Sequence, residues 1–302
     1  MSEFKRLHGV IPVSETPYNE DGSVDYGSIR AYVDYAIVKG VHGLATTGAS
    51  GKFWQLTEEE RRQVTRVTVD QANGRVPVVC SVAGASIQNA VLYTQIAQDE
   101  GADAVFAKLP YVHILPQVLT DEEIYEYYEA IAKAATIPMM LQDVMVPGGR
   151  TTPVHVIARI AKELEMVRYV KEEAPRGNLK ASEIIAACGE HVQVLTGEGG
   201  FWFLDALIRG CVGCMPGPVN IGGLVRCYNA YQAGDITQAR KWYEEVLPLI
   251  TLRMQNGNVT KEILRREGVF RTTYNRPPRG EELDEFTLKE LDAQFELRGD
   301  LL

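Results

Sequence analysis

Pro138-Met-Met-Leu-Gln-Asp143 and Met166-Val-Arg-Tyr-Val-Lys-Glu-Glu173 are two short apolar runs, each closed by polar residues, roughly 29 residues apart. An apolar run this short, bounded by turn residues, reads as a strand buried on both faces. The separation is that of one strand–helix unit. The pattern holds along the chain. Earlier runs are Gly9-Val-Ile-Pro-Val13, Gly43-Leu-Ala-Thr46, Val76-Pro-Val-Val-Cys80 and Asp103-Ala-Val-Phe-Ala107; later ones are Val192-Gln-Val-Leu195 and Cys211-Val-Gly-Cys-Met215. Helix signals fill the gaps. Thr57-Glu-Glu-Glu60 and Thr120-Asp-Glu-Glu123 are capping boxes, and Ser86 caps a helix running to about Glu100 before Gly101. Eight such units in series close most naturally into a (β/α)8 TIM barrel. The rival, a doubly wound open sheet, usually carries a glycine-rich loop after its first strand, and Val13-Ser-Glu-Thr-Pro-Tyr18 is not one.

Beyond the eighth run the pattern turns helical. Residues 218–232 form the last barrel helix, followed by helices over 235–256, 259–267 and 283–298, the last opened by Thr287-Leu-Lys-Glu290 or slightly earlier. The expected division is a catalytic barrel over 1–232 and a C-terminal helical extension over 233–302, with Thr272–Arg279 as its short Pro-rich linker.

The 302 residues suffice for a large core, and 45% hydrophobic with 24% charged residues excludes a disordered chain. A net charge of −9, with no long basic run, argues against nucleic acid as partner. No apolar stretch is long enough to span a membrane. The first ten residues lack a secretory signal's apolar segment, and the five cysteines are scattered. The expectation is a reduced, cytoplasmic protein.

In a barrel of this kind the C-terminal ends of the strands build the active site. Lys171 follows Val170 directly, so its amine sits at the end of a buried strand. Burial disfavours the charged form, and a neutral amine there is the nucleophile that forms an imine with a ketone. The ordinary alternative is a lysine reaching to the rim to pair with Glu172 or Glu173. Thr46-Thr47-Gly48 offers hydroxyl and backbone donors to an anion such as a carboxylate, unless it is merely a helix-entry turn.

The motifs Gly9-Val-Ile-Pro…Thr16-Pro-Tyr18, Gly43…Thr46-Thr47-Gly48-Ala-Ser50, Pro110-Tyr111, Tyr169-Val-Lys171-Glu172…Gly177-Asn178, Thr196-Gly197-Glu198 and Arg209-Gly210-Cys-Val-Gly213 occur in one order across residues 8–220. Together they resemble the dihydrodipicolinate synthase/N-acetylneuraminate lyase family of Schiff-base barrels. The resemblance implies that Lys171 forms the imine without any other cofactor. It implies that Thr46 and Thr47 hold the carboxylate of a small 2-oxo acid such as pyruvate. It also implies a homotetramer, or at least a homodimer.

Two departures matter. Family members usually carry a proton-transferring tyrosine at the end of strand 5; Gln142 stands there, and an amide neither gives nor takes protons near neutral pH. A second tyrosine, after Pro110-Tyr111, is replaced by Val112, so Thr46 alone remains of the family's threonine–tyrosine–tyrosine relay. Leu141-Gln142-Asp143, Gly197-Glu-Gly-Gly200 and Met215-Pro-Gly217 resemble the branch that dehydrates 2-keto-3-deoxy sugar acids, such as L-2-keto-3-deoxyarabonate dehydratase. The Thr-Thr-Gly-Ala-Ser motif is closer to the synthases.

Alternation places Glu173 on the same face as Lys171, and Glu173, Glu198 and Glu15 are the candidates for the missing proton-transfer group. Each could instead be a solvated rim carboxylate. Tyr111, Gln142, Glu198 and Cys214 are expected to line the substrate space, and Arg150 is a candidate guide for the substrate's far end. The CxxC spacing of Cys211 and Cys214 puts the thiols on opposite faces of a strand, unsuited to a redox pair or zinc. The five histidines show no ligand spacing, so no metal is expected, and Trp54, Trp202 and Trp242 read as packing residues. The reading is a class I (Schiff-base) lyase that dehydrates a 2-keto-3-deoxy sugar acid. The alternatives are a pyruvate-releasing aldolase and, in another class, a barrel that binds a metabolite without catalysis.

Overall fold

The computed structural model describes residues 4–110, 119–144 and 151–298. Eight parallel strands, β1 (Gly9–Val10), β2 (Leu44–Thr46), β3 (Val78–Ser81), β4 (Ala104–Lys108), β5 (Met139–Val144), β6 (Val167–Glu173), β7 (Gln193–Thr196) and β8 (Gly213–Cys214), lie in the order β1-β8-β7-β6-β5-β4-β3-β2. The seam between β1 and β2 is closed by a parallel bridge from Val13 to Ala45 and by three backbone hydrogen bonds: His42 to Val10, Ala45 to Pro12 and Ser14 to Ala45. The sheet is therefore a barrel without free edges, as the strand spacing predicts.

The helices between strands are α1 (Tyr26–Val38), α2 (Glu58–Ala72), α3 (Ile87–Asp99), α4 (Asp121–Ala134), α5 (Val154–Glu163), α6 (Asn178–Cys188), α7 (Phe203–Ile208) and α8 (Ile221–Gln232). Both capping boxes form, at Thr57/Glu60 and Thr120/Glu123, and Ser86 accepts from the Asn89 N–H to open α3. Each satisfies backbone donors that a helix start leaves unpaired.

Two apolar layers follow from strand alternation. Ile11, Val13, Ala45, Val79, Phe106, Met140, Tyr169, Leu195 and Met215 fill the barrel interior. Val10, Leu44, Val105, Leu141, Val167, Val170 and Cys214 face the helices. Val167 and Val170 share the outer face although they are three apart, because the β5–β6 register shifts by one residue between Met139 and Met140. This bulge extrudes the exposed Arg168 and resets the phase, so that Tyr169, and with it Lys171, points inward.

At β1–β8 the backbones meet glycine to glycine. A Cβ on Gly213 would stand 2.1 Å from the Gly9 carbonyl oxygen. Gly213→Ala is expected to destabilise the fold by about 2–3 kcal/mol, read as a lower denaturation midpoint at unchanged m-value. An unshifted midpoint would mean that the seam has slack.

The extension comprises α9 (Ile236–Gln255), α10 (Val259–Arg266) and α11 (Glu285–Arg298), the last opened by Asp284, whose side chain accepts from the Thr287 N–H. Leu249, Val259, Ile263 and Leu291 pack with Val219 of the barrel in a separate apolar cluster. Residues 272–279 run back over the strand ends, where the Arg276 guanidinium pairs with the Glu60 carboxylate, Nη1 to Oε2 2.8 Å. The extension thus covers one side of the barrel mouth. Among the described residues no helix is long and apolar enough to cross a membrane.

Candidate active site

The parallel ladder sets three polar side chains in one row. Lys108 is registered with Gln142, and Gln142 with Lys171. The amine of Lys171, which is 4% exposed, lies 3.2 Å from Oε2 of Glu173 and above the Phe106 ring. Of the two carboxylates expected as partners of Lys171, Glu173 is the one beside its amine. Glu173 also accepts from Gln142 Nε2 at 2.5 Å and from the Glu198 N–H at 2.9 Å. Burial pushes its carboxyl upward, but the Lys171 ammonium and these two donors outweigh that, so Glu173 is held below the usual carboxylate range. Gly197 makes the approach possible, because a Cβ there would fall 2.0 Å from Glu173 Oε1.

Glu172, the other partner considered for Lys171, faces the helices. Its Oε1 accepts from the Ala174 N–H at 2.7 Å. Burial and the neighbouring Asp143 carboxylate push it up to about 9. Asp143 pairs with Lys180, which also donates to the Thr152 carbonyl at 2.8 Å. This cluster braces β5, β6 and residues 151–152 from behind.

A cavity of about 520 Å³ opens above Lys171. Val13, Phe106, Gln142, Lys171, Glu173 and Met215 form its inner part; Glu15, Ser50, Lys52, Trp54, Glu198 and Arg253 surround its outer part. Glu15 is 7% exposed. Burial raises its carboxyl to about 7, against the opposing charges of Lys261, Arg253 and Lys52. Glu198 is raised by burial, although its Oε2 accepts from Trp202 Nε1 at 2.6 Å. Lys108, beside this space, is lowered by burial; Glu173 pulls it the other way and Lys171 adds to the lowering.

The fold distributes the remaining expected site residues unevenly. Thr46 and Thr47 stand at the end of β2, directly before the turn residues that line the cavity. Thr47 adopts a left-handed backbone, and its hydroxyl lies 2.7 Å from the Thr46 carbonyl and 3.1 Å from the Ser81 carbonyl, so its one proton serves the backbone. Thr46 is fully buried and accepts from Ser14 Oγ at 3.4 Å. The turn reaches the cavity through Ala49 and Ser50, while Gly48 packs on Val13 and Phe106. Cys214 faces the helices; its neighbour Met215 lines the cavity. Cys211 precedes β8 and lies in the same helix-facing layer, so the two thiols are not on opposite faces, and all five cysteines are buried and unbonded. Trp54 and Trp202 do more than pack, as the first lines the mouth and the second holds Glu198. Tyr111, Val112 and Arg150 lie outside the described residues.

The strand-end rule that singles out Lys171 also points to Lys108, at the end of β4. Lys52 and Arg253 carried no such signal, since one follows a strand by six residues and the other belongs to the extension. Among the described residues no group of three His, Cys, Asp or Glu side chains could hold a metal ion.

A (β/α)8 barrel with a buried lysine and several carboxylates converging on one cavity at its strand ends defines a barrel enzyme of the lysine-bearing class. More particularly, the chain belongs to the dihydrodipicolinate synthetase family, which matches residues 6–296, and is a lyase of that family. It is 31% identical over 269 residues to L-2-keto-3-deoxyarabonate dehydratase of Azospirillum brasilense, covering 88% of this chain and 86% of that one. It is 33% identical over 249 residues to 4-hydroxy-tetrahydrodipicolinate synthase of Rhizobium meliloti, covering 80% and 82%. Among solved structures, a prophage protein of E. coli K12 from the dihydrodipicolinic acid synthase family, in complex with pyruvate, superposes with a TM-score of 0.89 at 25% identity, covering 98% of this chain and 99% of that one.

Proposed function

We propose that the protein is a Schiff-base lyase that dehydrates a 2-keto-3-deoxy sugar acid. The observation that carries this is the Lys171 amine, buried at the inner end of the cavity between Phe106 and the carboxylate of Glu173. The amine attacks the C2 ketone, and loss of water gives a protonated imine. That imine withdraws electrons from C3, whose proton passes to Glu173, and an enamine forms. The enamine then expels the C4 hydroxyl as water once that oxygen is protonated. Hydrolysis of the imine frees the dehydrated acid and restores Lys171.

Proton supply separates the two lyase reactions. Dehydration needs an acid at C4, whereas aldol cleavage needs a base for the C4 hydroxyl. Glu15, at about 7, keeps a protonated fraction at neutral pH and lines the same cavity. Gln142 stands where the resemblance expects a tyrosine and spends its amide on Glu173. Both favour dehydration. The similarity to a 4-hydroxy-tetrahydrodipicolinate synthase keeps aldol chemistry as the second reading. The five buried thiols suit the reducing cytoplasm.

The test is a set of 2-keto-3-deoxy acids incubated with the enzyme, with products separated by mass. A 2-oxo acid lighter by one water is the expected product. Pyruvate plus an aldehyde would establish the aldolase, and bound but unchanged substrate would support a barrel without catalysis.

A further inference from the structure

The outer part of the cavity holds charge that the imine chemistry leaves unused. Arg253, on the last turns of α9, lies across two glycines: a Cβ on Gly217 would stand 2.5 Å from its Nε, and one on Gly199 3.3 Å from its Nη1. These two positions keep open the space the guanidinium occupies. Among the described residues it makes one hydrogen bond, from Nη2 to Ser50 Oγ at 3.2 Å, and no ion pair; its Nε is buried without an acceptor. Lys52 donates to the Asn275 side-chain oxygen at 3.1 Å and to the Arg279 carbonyl at 3.3 Å, and Lys261 donates to the Tyr274 carbonyl at 2.9 Å. All of these acceptors are neutral.

Glu15 is the carboxylate these three cations share. Glu198 lines the same outer part, so three positive charges face two negative ones; the excess is one, and grows whenever Glu15 or Glu198 is protonated. Arg279 and Glu281, at the outer rim, carry opposite charges and do not alter the balance. Uncompensated charge beneath a covering segment is costly to maintain unless an anion arrives to neutralise it. A guanidinium fork with unspent donors is suited to receive a carboxylate or phosphate in two-point contact.

We propose that Arg253, with Lys52, binds a terminal oxyanion of the substrate, so that the acid carries a second anionic group, carboxylate or phosphate ester, at the end of its tail. The proposal rests on the lyase reading for the placement of the 2-oxo acid at Lys171. It makes the C-terminal extension the part of the chain that selects the substrate. A tail ending in a hydroxymethyl group would leave the excess charge in place.

Binding tests this without turnover. Calorimetry would compare 2-oxoglutarate and 2-oxoadipate with 2-oxovalerate and 2-oxohexanoate, pairs matched in length that differ in the terminal carboxylate. The carboxylate-ended acids should bind about tenfold tighter or more, and Arg253→Gln should bring that ratio toward one, with Arg253→Lys restoring part of it. Two 2-keto-3-deoxy acids of equal length, one ending in carboxylate and one in phosphate ester, then identify the anion by the larger kcat/KM. Equal affinity within the matched pairs, or an equal loss for both members in Arg253→Gln, overturns the proposal. Failure of the lyase reading shows elsewhere, as absent borohydride trapping of pyruvate on the unaltered protein.

Discussion

Lys171→Arg should lower turnover by on the order of 10⁴-fold or more while leaving the fold intact. The guanidinium keeps its charge, so it can still pair with Glu173, but it cannot act as the nucleophile near neutral pH. Borohydride added with pyruvate should convert residue 171 of the unaltered protein into an adduct heavier by pyruvate less one oxygen atom. The arginine variant should gain nothing. Lys171→Met should lose the same activity and stability besides. Methionine leaves the Glu173 carboxylate among Gln142, Phe106 and the barrel wall without its cation, and removing one partner of a buried pair costs about 3–5 kcal/mol. The two variants separate chemistry from folding. Trapped pyruvate on another residue, or an arginine variant with near-normal turnover, would exclude Lys171 as the imine-forming group.

How far the sequence could be read depends on what each feature needs from the fold. The barrel was legible because it repeats: a run of four or five apolar residues every thirty or so has few other readings. Lys171 and Glu173 were legible as a pair because alternation over two residues is local, and the β-bulge at Arg168 lies upstream of both. For Thr46 and Thr47 the motif reveals which donors exist but not what they bond. A left-handed turn at Thr47 directs its hydroxyl to carbonyls of the backbone. Cys214 misled for a related reason, since one residue of phase separates it from Met215, and β8 is too short to fix that phase by pattern. Arg253 was invisible to any local rule. Its position over Gly217 and Gly199 depends on how an entire helix packs on the barrel, and residues more than thirty positions apart do not announce such a meeting.

Glu173→Gln should slow turnover by about 10²–10³-fold, within the usual range for loss of a positioned general base. The substitution keeps the shape and removes the charge. An amide also mismatches its surroundings: Glu173 accepts from Lys171, Gln142 and the Glu198 N–H, and a glutamine must present its own NH₂ to one of those donors. The imine itself should still form, because the amine remains, so borohydride should still trap pyruvate. Exchange of the pyruvate methyl protons with deuterated water, followed by NMR, isolates the step at C3. It should fall as far as turnover does. The pH dependence supplies a second, independent reading. A base must be ionised to act, and Glu173 is held below the usual carboxylate range, so exchange by the unaltered protein should persist from neutral pH down through about 4.5 before it fails. Were Glu15 the base instead, exchange would already decline as pH drops through about 7, and Glu15→Gln rather than Glu173→Gln would abolish it. Undiminished methyl exchange in Glu173→Gln would therefore move the base to Glu15 and leave Glu173 as the anchor that fixes the Lys171 amine against the cavity floor.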